Sequence, residues 1–261
     1  MIPQAYITEW QHKAPWGANE QIEQDLILCR ILTELFQNEF LREQLVFRGG
    51  TALNKLYFPS PVRYSEDLDF VQLLPGQIKP IIETVQKTIN PFLKGKGTDS
   101  RKDGFRIYYG FQSENIPGIE RKIKIEINTR EHFNVFPIEK KKFTINSQWY
   151  SGECTIPAYN LNEMLGTKMR ALYQRSKGRD LFDLDWSLRH CKTNPNEIIE
   201  AFKKYMDFQD NKVSQKEYCT NVKIKVNDPV FCQDIYNYIR PGIEYDPKIA
   251  FKNIKELIDL I

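Results

Sequence analysis

Between Glu20 and Phe40 the apolar positions Ile22, Leu26, Cys29, Ile31, Leu32, Leu35 and Phe36 recur at helical spacing, which predicts one long amphipathic helix. Ahead of it, residues 1–18 carry Pro3, Trp10, Pro15, Trp16 and Gly17 and read as an arm packed by its tryptophans. The apolar run Leu45-Val46-Phe47 then leads into two glycines and a helix-prone segment. A helix is predicted from Gln77 to Phe92, opening near Pro80 and closing near Asn90-Pro91. Residues 94–103, rich in Lys, Gly, Asp and Ser, read as an exposed loop. Strict alternation of Phe105, Ile107, Tyr109 and Phe111 predicts a strand, Asn115-Ile116-Pro117-Gly118 a turn, and Lys122 to Asn128 a returning strand. Lys140 to Lys142 and the segment from Trp149 to Cys154 suggest a further hairpin closed by Pro157. Beyond Leu161 the pattern is helical throughout: Asn162 to Arg175, a helix opening at Asp180, then roughly Pro195 to Tyr205, Val213 to Ile224, Pro229 to Ile239 and Pro247 to Ile261. Strands followed by helices predict an α+β fold of two domains, 1–158 and 159–261.

The chemistry concentrates between Phe47 and Phe70. Arg48-Gly49-Gly50-Thr51-Ala52-Leu53-Asn54-Lys55 places backbone amides at a helix start, where they can face a phosphate chain. Arg63-Tyr64-Ser65-Glu66-Asp67-Leu68-Asp69-Phe70 follows, and strand spacing puts Asp67 and Asp69 on one face with Leu68 and Phe70 on the other. Paired carboxylates of this kind suit magnesium, which takes hard oxygen ligands together with substrate phosphates. Each half alone also fits a plain turn or a solvated strand edge. On the returning strand Ile123, Ile125 and Ile127 share a face, leaving Lys124 and Glu126 on the other. Glu126 is either a third carboxylate for the same site or a surface glutamate beside Lys124. In the helix after Leu161, Lys168 and Arg175 share a face with Leu161, Leu165 and Leu172. Lys168 is read as a partner for nucleotide phosphates; for Arg175 that role and snorkelling at the core edge stand equal. Asp180 is a helix N-cap or a site residue, with Asp183 on the same face.

With 41% hydrophobic, 13% aromatic and 27% charged residues, a chain of 261 residues has the composition of a folded globular protein rather than a disordered one. No apolar run approaches membrane-spanning length, and the N-terminus lacks the basic and apolar regions of a signal peptide, so no membrane partner and a cytoplasmic location are expected. Five scattered cysteines and three dispersed histidines argue for reduced thiols and against a zinc or Cys-His site. Residues 1–90 hold 8 Lys/Arg against 11 Asp/Glu, net −3, and the remainder 29 against 23, net +6. An acidic half followed by a basic one fits a phosphate-bearing partner, and Lys203, Lys204 and Lys216 among Tyr205, Phe208 and Tyr218 can track a nucleic-acid backbone.

The order Gly-Gly-Thr-Ala-Leu-x-Lys then Ser-x-Asp-x-Asp, with Lys168, Arg175 and Arg179-Asp180-Leu181-Phe182-Asp183-Leu184, resembles the AbiEii/AbiGii toxin family of abortive-infection (type IV toxin-antitoxin) systems within the DNA polymerase β-like nucleotidyltransferase superfamily. Matching segments span about Ile22 to Leu188. The resemblance implies a nucleotidyltransferase-like mixed β-sheet with flanking helices and a helical C-terminal half that completes the site. It implies that Gly49, Gly50 and Thr51 hold the triphosphate with help from Lys55, Ser65 and Arg175. Asp67, Asp69 and Glu126 would hold two magnesium ions, and Lys168 and Asp180 would complete the catalytic set. Where the superfamily often has Gly-Ser this chain has Gly-Gly-Thr, which leaves the hydroxyl contact to Thr51 or Ser65. The implied reaction moves a nucleotide from an NTP, preferentially a pyrimidine one, to a tRNA 3′ end and blocks translation, under control of a DNA-binding AbiEi-like antitoxin. Transfer to a protein or small-molecule hydroxyl, kinase-like phosphoryl transfer, or a non-catalytic nucleotide-binding module remain alternatives.

Overall fold

The computed structural model describes residues 2–113 and 120–261; the turn expected at Asn115 to Gly118 lies outside them. The long helix forms as α2 (Asn19–Gln37), and every apolar position named for it is buried. It follows α1 (Gln4–Trp10), so the N-terminal arm is partly helical, with Trp10 and Trp16 both buried. The Trp10 indole donates to Asp25 at 2.9 Å. The helix stops sooner than its periodicity suggests because Asn38 turns extended, and its side chain caps a new helix, α3 (Glu39–Gln44), by accepting from the Leu41 amide.

The seven-stranded mixed sheet has the order β3-β4-β5-β2-β1-β7-β6. Its strands are β1 (Leu45–Arg48), β2 (Leu68–Gln72), β3 (Lys94–Arg101), β4 (Gly104–Gln112), β5 (Glu120–Asn128), β6 (Glu139–Asn146) and β7 (Ser151–Ala158). The helix α4 (Gly49–Ala52) and a π-turn over Leu53–Tyr57 follow β1, and α5 (Lys79–Ile89) follows β2. Residues 94–103 were expected as a loop, yet β3 is an edge strand. Its side chains are almost all exposed and it is held by ladder bonds to β4, with a bulge between Gly95 and Gly97. With neither face buried there is no apolar alternation to read, and the charges along it shield an open edge from pairing with other chains.

From Leu161 onward the chain is helical: α6 (Leu161–Gln174), α7 (Gly178–His190), α8 (Pro195–Asp207), α9 (Gln215–Lys225), α10 (Pro229–Gln233), α11 (Pro247–Asn253) and α12 (Lys255–Ile258). The helix expected to run to Ile239 ends at Gln233, because residues 238–240 pair with the segment before β2 instead. The Tyr64 amide donates to the Tyr238 carbonyl at 2.7 Å and the Arg240 amide to Val62 at 3.0 Å. The last predicted helix divides at Ile254.

Two features of the sheet position the site. Antiparallel pairing of β1 with β2 sets Arg48 opposite Asp69, and parallel pairing of β2 with β5 sets Asp69 opposite Glu126. β1 and β7 pair in parallel through Phe47 and Ala158, so the chain leaving β1 into the two glycines and the chain leaving β7 into α6 exit side by side. Asn160 starts α6 there, accepting from the Asn162 amide at 2.8 Å. Helix α6 is fixed against α8 at Gly166, where a methyl group would meet Ala201 Cβ at 2.6 Å and the Phe202 amide nitrogen at 2.8 Å.

Gly166→Ala is expected to lower the urea midpoint of unfolding. Alanine gains about 1 kcal/mol of helix propensity, but the forced separation of α6 and α8 costs about 1–3 kcal/mol or more, because backbone atoms have to yield. An unchanged or higher midpoint contradicts the close packing.

Candidate active site

A cleft of about 300 Å³ opens where β1 ends and β2 begins, walled on the far side by α6. Its floor is a row of charges set by sheet register, Arg48, Asp69, Glu126 and Arg106 on four adjacent strands. Gly49 has φ +84°, the left-handed region, and a side chain there would overlap the Asp69 carboxylate. A side chain on Gly50 would overlap the Arg63 guanidinium. The glycines are therefore required by what stands directly over them as well as by any phosphate that approaches.

Asp67 and Asp69 line the cleft together with Ser65, Gly49, Gly50, Glu126, Lys168 and Arg175. Thr51 does not: it is buried, its hydroxyl donates to the Asp67 carbonyl at 2.5 Å, and it lies 2.8 Å from Ser65 Oγ. It ties the glycine turn to the aspartate strand. Lys55 also lies away from the cleft, its ammonium 2.6 and 2.7 Å from the two Asp25 oxygens on α2. Burial opposes that charge, yet Asp25 holds the Lys55 proton above the ordinary lysine value.

Asp180 and Asp183 sit fully buried beneath the cleft wall. Asp180 is not the N-cap, which is Lys177. Its carboxylate accepts from Lys168 Nζ at 3.0 Å and from Arg175 Nε and Nη2 at 2.7 and 2.9 Å. Asp183 binds Lys168 at 2.8 Å and takes a two-pronged bond from Arg63 at 2.6 and 2.7 Å. Burial acts against both carboxylates, but these cations outweigh it, lowering the pKa of Asp183 and holding Asp180 well below the usual carboxylate range. Lys168 is thereby fixed with its side chain 8% exposed, while Arg175, 53% exposed, reaches into the opening. A second buried clamp, Glu131, accepts from Arg48 and Arg170 at 2.5 Å each.

The acidic side is unlike this one. Burial raises the Asp69 pKa, and Asp67 and Glu126 raise it further; burial likewise raises Asp67 despite Lys124 at 3.1 Å. Clustered carboxylates with raised proton affinity are short of positive charge, which makes Asp67 and Asp69 a fitting pair of hard oxygen donors for a divalent cation. Glu126 stands in the expected place beside Asp69 but is turned to Arg106 Nε at 2.8 Å and Lys124 Nζ at 3.2 Å. Burial opposes its charge, and those two partners nonetheless lower its pKa. Among the described residues no three His, Cys, Asp or Glu side chains form a ready metal cluster. In this arrangement Lys124 supplies the cation between Asp67 and Glu126.

The model of the family described as nucleotidyl transferase AbiEii toxin, type IV TA system, matches residues 30–255. The chain belongs to that family. Among solved structures, MenT4, the nucleotidyltransferase toxin Rv2826c from Mycobacterium tuberculosis H37Rv, matches with a TM-score of 0.73 at 17% identity, over 99% of this chain and 89% of that one. JHP933 from Helicobacter pylori matches with 0.54 at 15%, over 93% and 92%. At these identities the likeness shows a shared nucleotidyltransferase fold. No curated protein matches the chain. As an AbiEii protein it is a nucleotidyltransferase toxin of a toxin-antitoxin system, with an NTP as substrate and an antitoxin as partner. No helix among the described residues is long and apolar enough to cross a membrane.

Arg48, Arg63, Arg106, Lys124, Arg170 and Arg179 also line the AbiEii cleft, and none of them is a site residue expected from the sequence. Arg63 stands within the motif stretch, but its partner Asp183 is 120 residues away, and no local pattern announces such a pair. Tyr205 and Tyr218, expected among surface lysines, are core residues whose hydroxyls bond Glu163 and the Met169 carbonyl. Of the three aromatics named there, Phe208 is the exposed one, at 49%.

A carboxyl group whose pKa is raised by folding favours the folded state while protonated and disfavours it as pH climbs from the ordinary value of about 4. Asp69→Asn is accordingly expected to raise the thermal midpoint of the metal-free protein at pH 7, with a gain that shrinks as pH falls toward 4. A midpoint at or below that of the wild type at pH 7 contradicts this account of the cleft.

Proposed function

We propose that this AbiEii toxin transfers a nucleoside monophosphate, preferentially a pyrimidine one, from an NTP to the 3′ end of tRNA, releasing pyrophosphate and blocking translation. The observation that carries the reading is the facing of two sets of opposite charge across one cleft. Asp67 and Asp69 stand beside the Gly49-Gly50 turn, and Lys168 on α6 and Arg175 just past its C-terminal end stand opposite, fixed from below by Asp180 and Asp183. The choice of tRNA and of a pyrimidine base rests on the family resemblance alone. Action in the cytoplasm, a DNA-binding AbiEi-like antitoxin, and a division of labour between residues 1–158 and 159–261 belong to the same reading.

Asp67 and Asp69 would hold magnesium, two ions in the full reading, with Glu126 joining once released from Lys124 and Arg106. Bound there, the metal supplies Lewis-acid stabilisation of the attacking and leaving oxygens. The chain's own groups do the rest. The amides of Gly49 and Gly50 and the Ser65 hydroxyl receive the phosphate chain. An acceptor hydroxyl attacks the α-phosphorus in line; its oxygen forms the new O–P bond, and the bond to the bridging oxygen breaks with its electron pair leaving on pyrophosphate. The hydroxyl proton passes to a cleft carboxylate, Asp67, Asp69 or Glu126. Lys168 and Arg175 neutralise charge growing on the leaving group, as positioned donors in a low-dielectric site do. Asp180 is a positioning residue: it holds both cations and touches no substrate.

With α-labelled NTP, magnesium and total tRNA, Asp67→Asn and Asp69→Asn are each expected to lower label transfer by a factor on the order of 10³ or more, and Lys168→Met by about 10². Asp180→Asn is expected to lower it about as far as Lys168→Met, and its effect should largely vanish when Lys168 and Arg175, the two cations it holds, are both already Met. A further loss from Asp180→Asn in that double variant contradicts the positioning role. Transfer that survives both aspartate replacements contradicts the reading as a whole, and label arriving on protein or a small molecule assigns a different acceptor.

A further inference from the structure

The catalytic cleft continues, past Arg48, Arg170 and Arg175, into a second depression of about 720 Å³, more than twice its size. Its outer rim comes from places the sequence did not connect: the β3–β4 turn at Lys102, the end of β5 at Asn128 to Arg130, and the C-terminal ends of α6 and α8. The lining carries five basic side chains against Asp103 and Glu131, and Glu131 is already saturated by Arg48 and Arg170. The rim is ordered by its own bonds. Asn128 accepts from the amides of Arg130 and Glu131 at 2.9 and 2.8 Å, and Arg130 Nε donates to the Lys102 carbonyl at 3.0 Å, which sets that guanidinium at the mouth. Opposite, Phe208 lies against the Phe133 ring at 5.0 Å between centroids while half of its own surface stays open to water. Gln174 and Gln209, joined at 2.6 Å, brace the helix ends beside it.

An exposed aromatic face across from Arg130 and Lys102, which form no ion pair among the described residues, in a groove that empties into a nucleotidyl-transfer site, has the chemistry of a single-stranded nucleic-acid channel: bases stack on the ring and phosphates meet the cations. A protein acceptor has no use for a stacking platform flanked by cations on this side, and a small molecule has no use for the added volume. We propose that this depression is the acceptor channel, in which Phe208 stacks a base near the RNA 3′ end, Arg130 and Lys102 hold its phosphates, and the terminal hydroxyl is directed past Arg48 and Arg170 toward Asp67 and Asp69. The inference rests on the reading of RNA as acceptor and locates its path, which is distinct from the lysines at 203, 204 and 216 on the outer helices.

The test uses full-length protein, a fluorescein-labelled single-stranded oligoribonucleotide for binding by anisotropy, and total tRNA for transfer. Phe208→Ala is expected to weaken oligonucleotide binding about tenfold, the size of one lost stacking contact of about 1–3 kcal/mol, and to raise the acceptor KM by a similar factor with a smaller change in kcat. Arg130→Glu is expected to weaken binding and flatten its salt dependence by about 0.7 in log–log slope for each phosphate contact removed. Lys79→Glu, an equal charge change on the exposed face of α5, serves as the control and should match the wild type. Phe208 and Arg130 variants that bind and label RNA like this control overturn the channel while leaving RNA transfer intact. A wild-type protein that labels a protein or small molecule and binds no oligonucleotide overturns the RNA acceptor itself.

Discussion

Asp183 on α7 takes both nitrogens of the Arg63 fork on one side and the Lys168 ammonium on the other, all within 2.8 Å and all buried. That junction joins three parts of the chain: the segment before β2, helix α6 and helix α7. A buried pair of this kind adds little net stability over apolar packing, but removing one partner leaves a stranded charge and costs about 3–5 kcal/mol. Its value here is positional. Asp180 extends the network to Arg175, so that a cluster of aspartates with lowered proton affinity, held beneath the surface, fixes the cations that face the cleft.

The opposite wall is built on the reverse principle. Burial pushes the proton affinity of Asp67 and Asp69 upward, and Lys124, with Arg179 near Asp67 and Arg48 near Asp69, offsets this only in part. One side of the cleft is therefore electrostatically satisfied by the protein, and the other is satisfied only in part. In the function proposed, a magnesium-bound triphosphate would supply the positive charge that Asp67 and Asp69 lack and would lay its phosphates against Lys168 and Arg175, which the buried aspartates hold in place. Sequence proximity of Gly49-Gly50 to Asp67 and Asp69 becomes spatial proximity through the β1–β2 pairing, and the left-handed turn at Gly49 lets Asp69 lie directly against it.

Much of this was legible in the chain, because it is local. The apolar period of α2, the alternation in β4 and β5, and the aspartates two apart each express a face or a spacing that a single element fixes. Placing Glu126 beside Asp69 needed only the guess that their strands are neighbours, and they pair in register. What was not legible is long-range or lacks a patterned face. β3 is an edge strand without a buried side, so its composition resembles a loop. Thr51 and Lys55 follow the glycines as ligands of a phosphate would, yet one turns inward to the Asp67 carbonyl and the other to Asp25 on α2. The arginines of the cleft, Arg48, Arg63, Arg106 and Arg170, each pair with an acid at least 20 residues away. Charge complementarity across such distances leaves no periodicity to find.

The central claim is nucleotidyl rather than phosphoryl transfer, and the fate of the two ends of the triphosphate decides it most directly. Wild-type protein incubated with magnesium, total tRNA and NTP labelled either at the α- or at the γ-phosphorus is predicted to carry α-label into tRNA and to release γ-label as pyrophosphate. γ-Label on the acceptor with nucleoside diphosphate released, or no transfer of either label, contradicts the account.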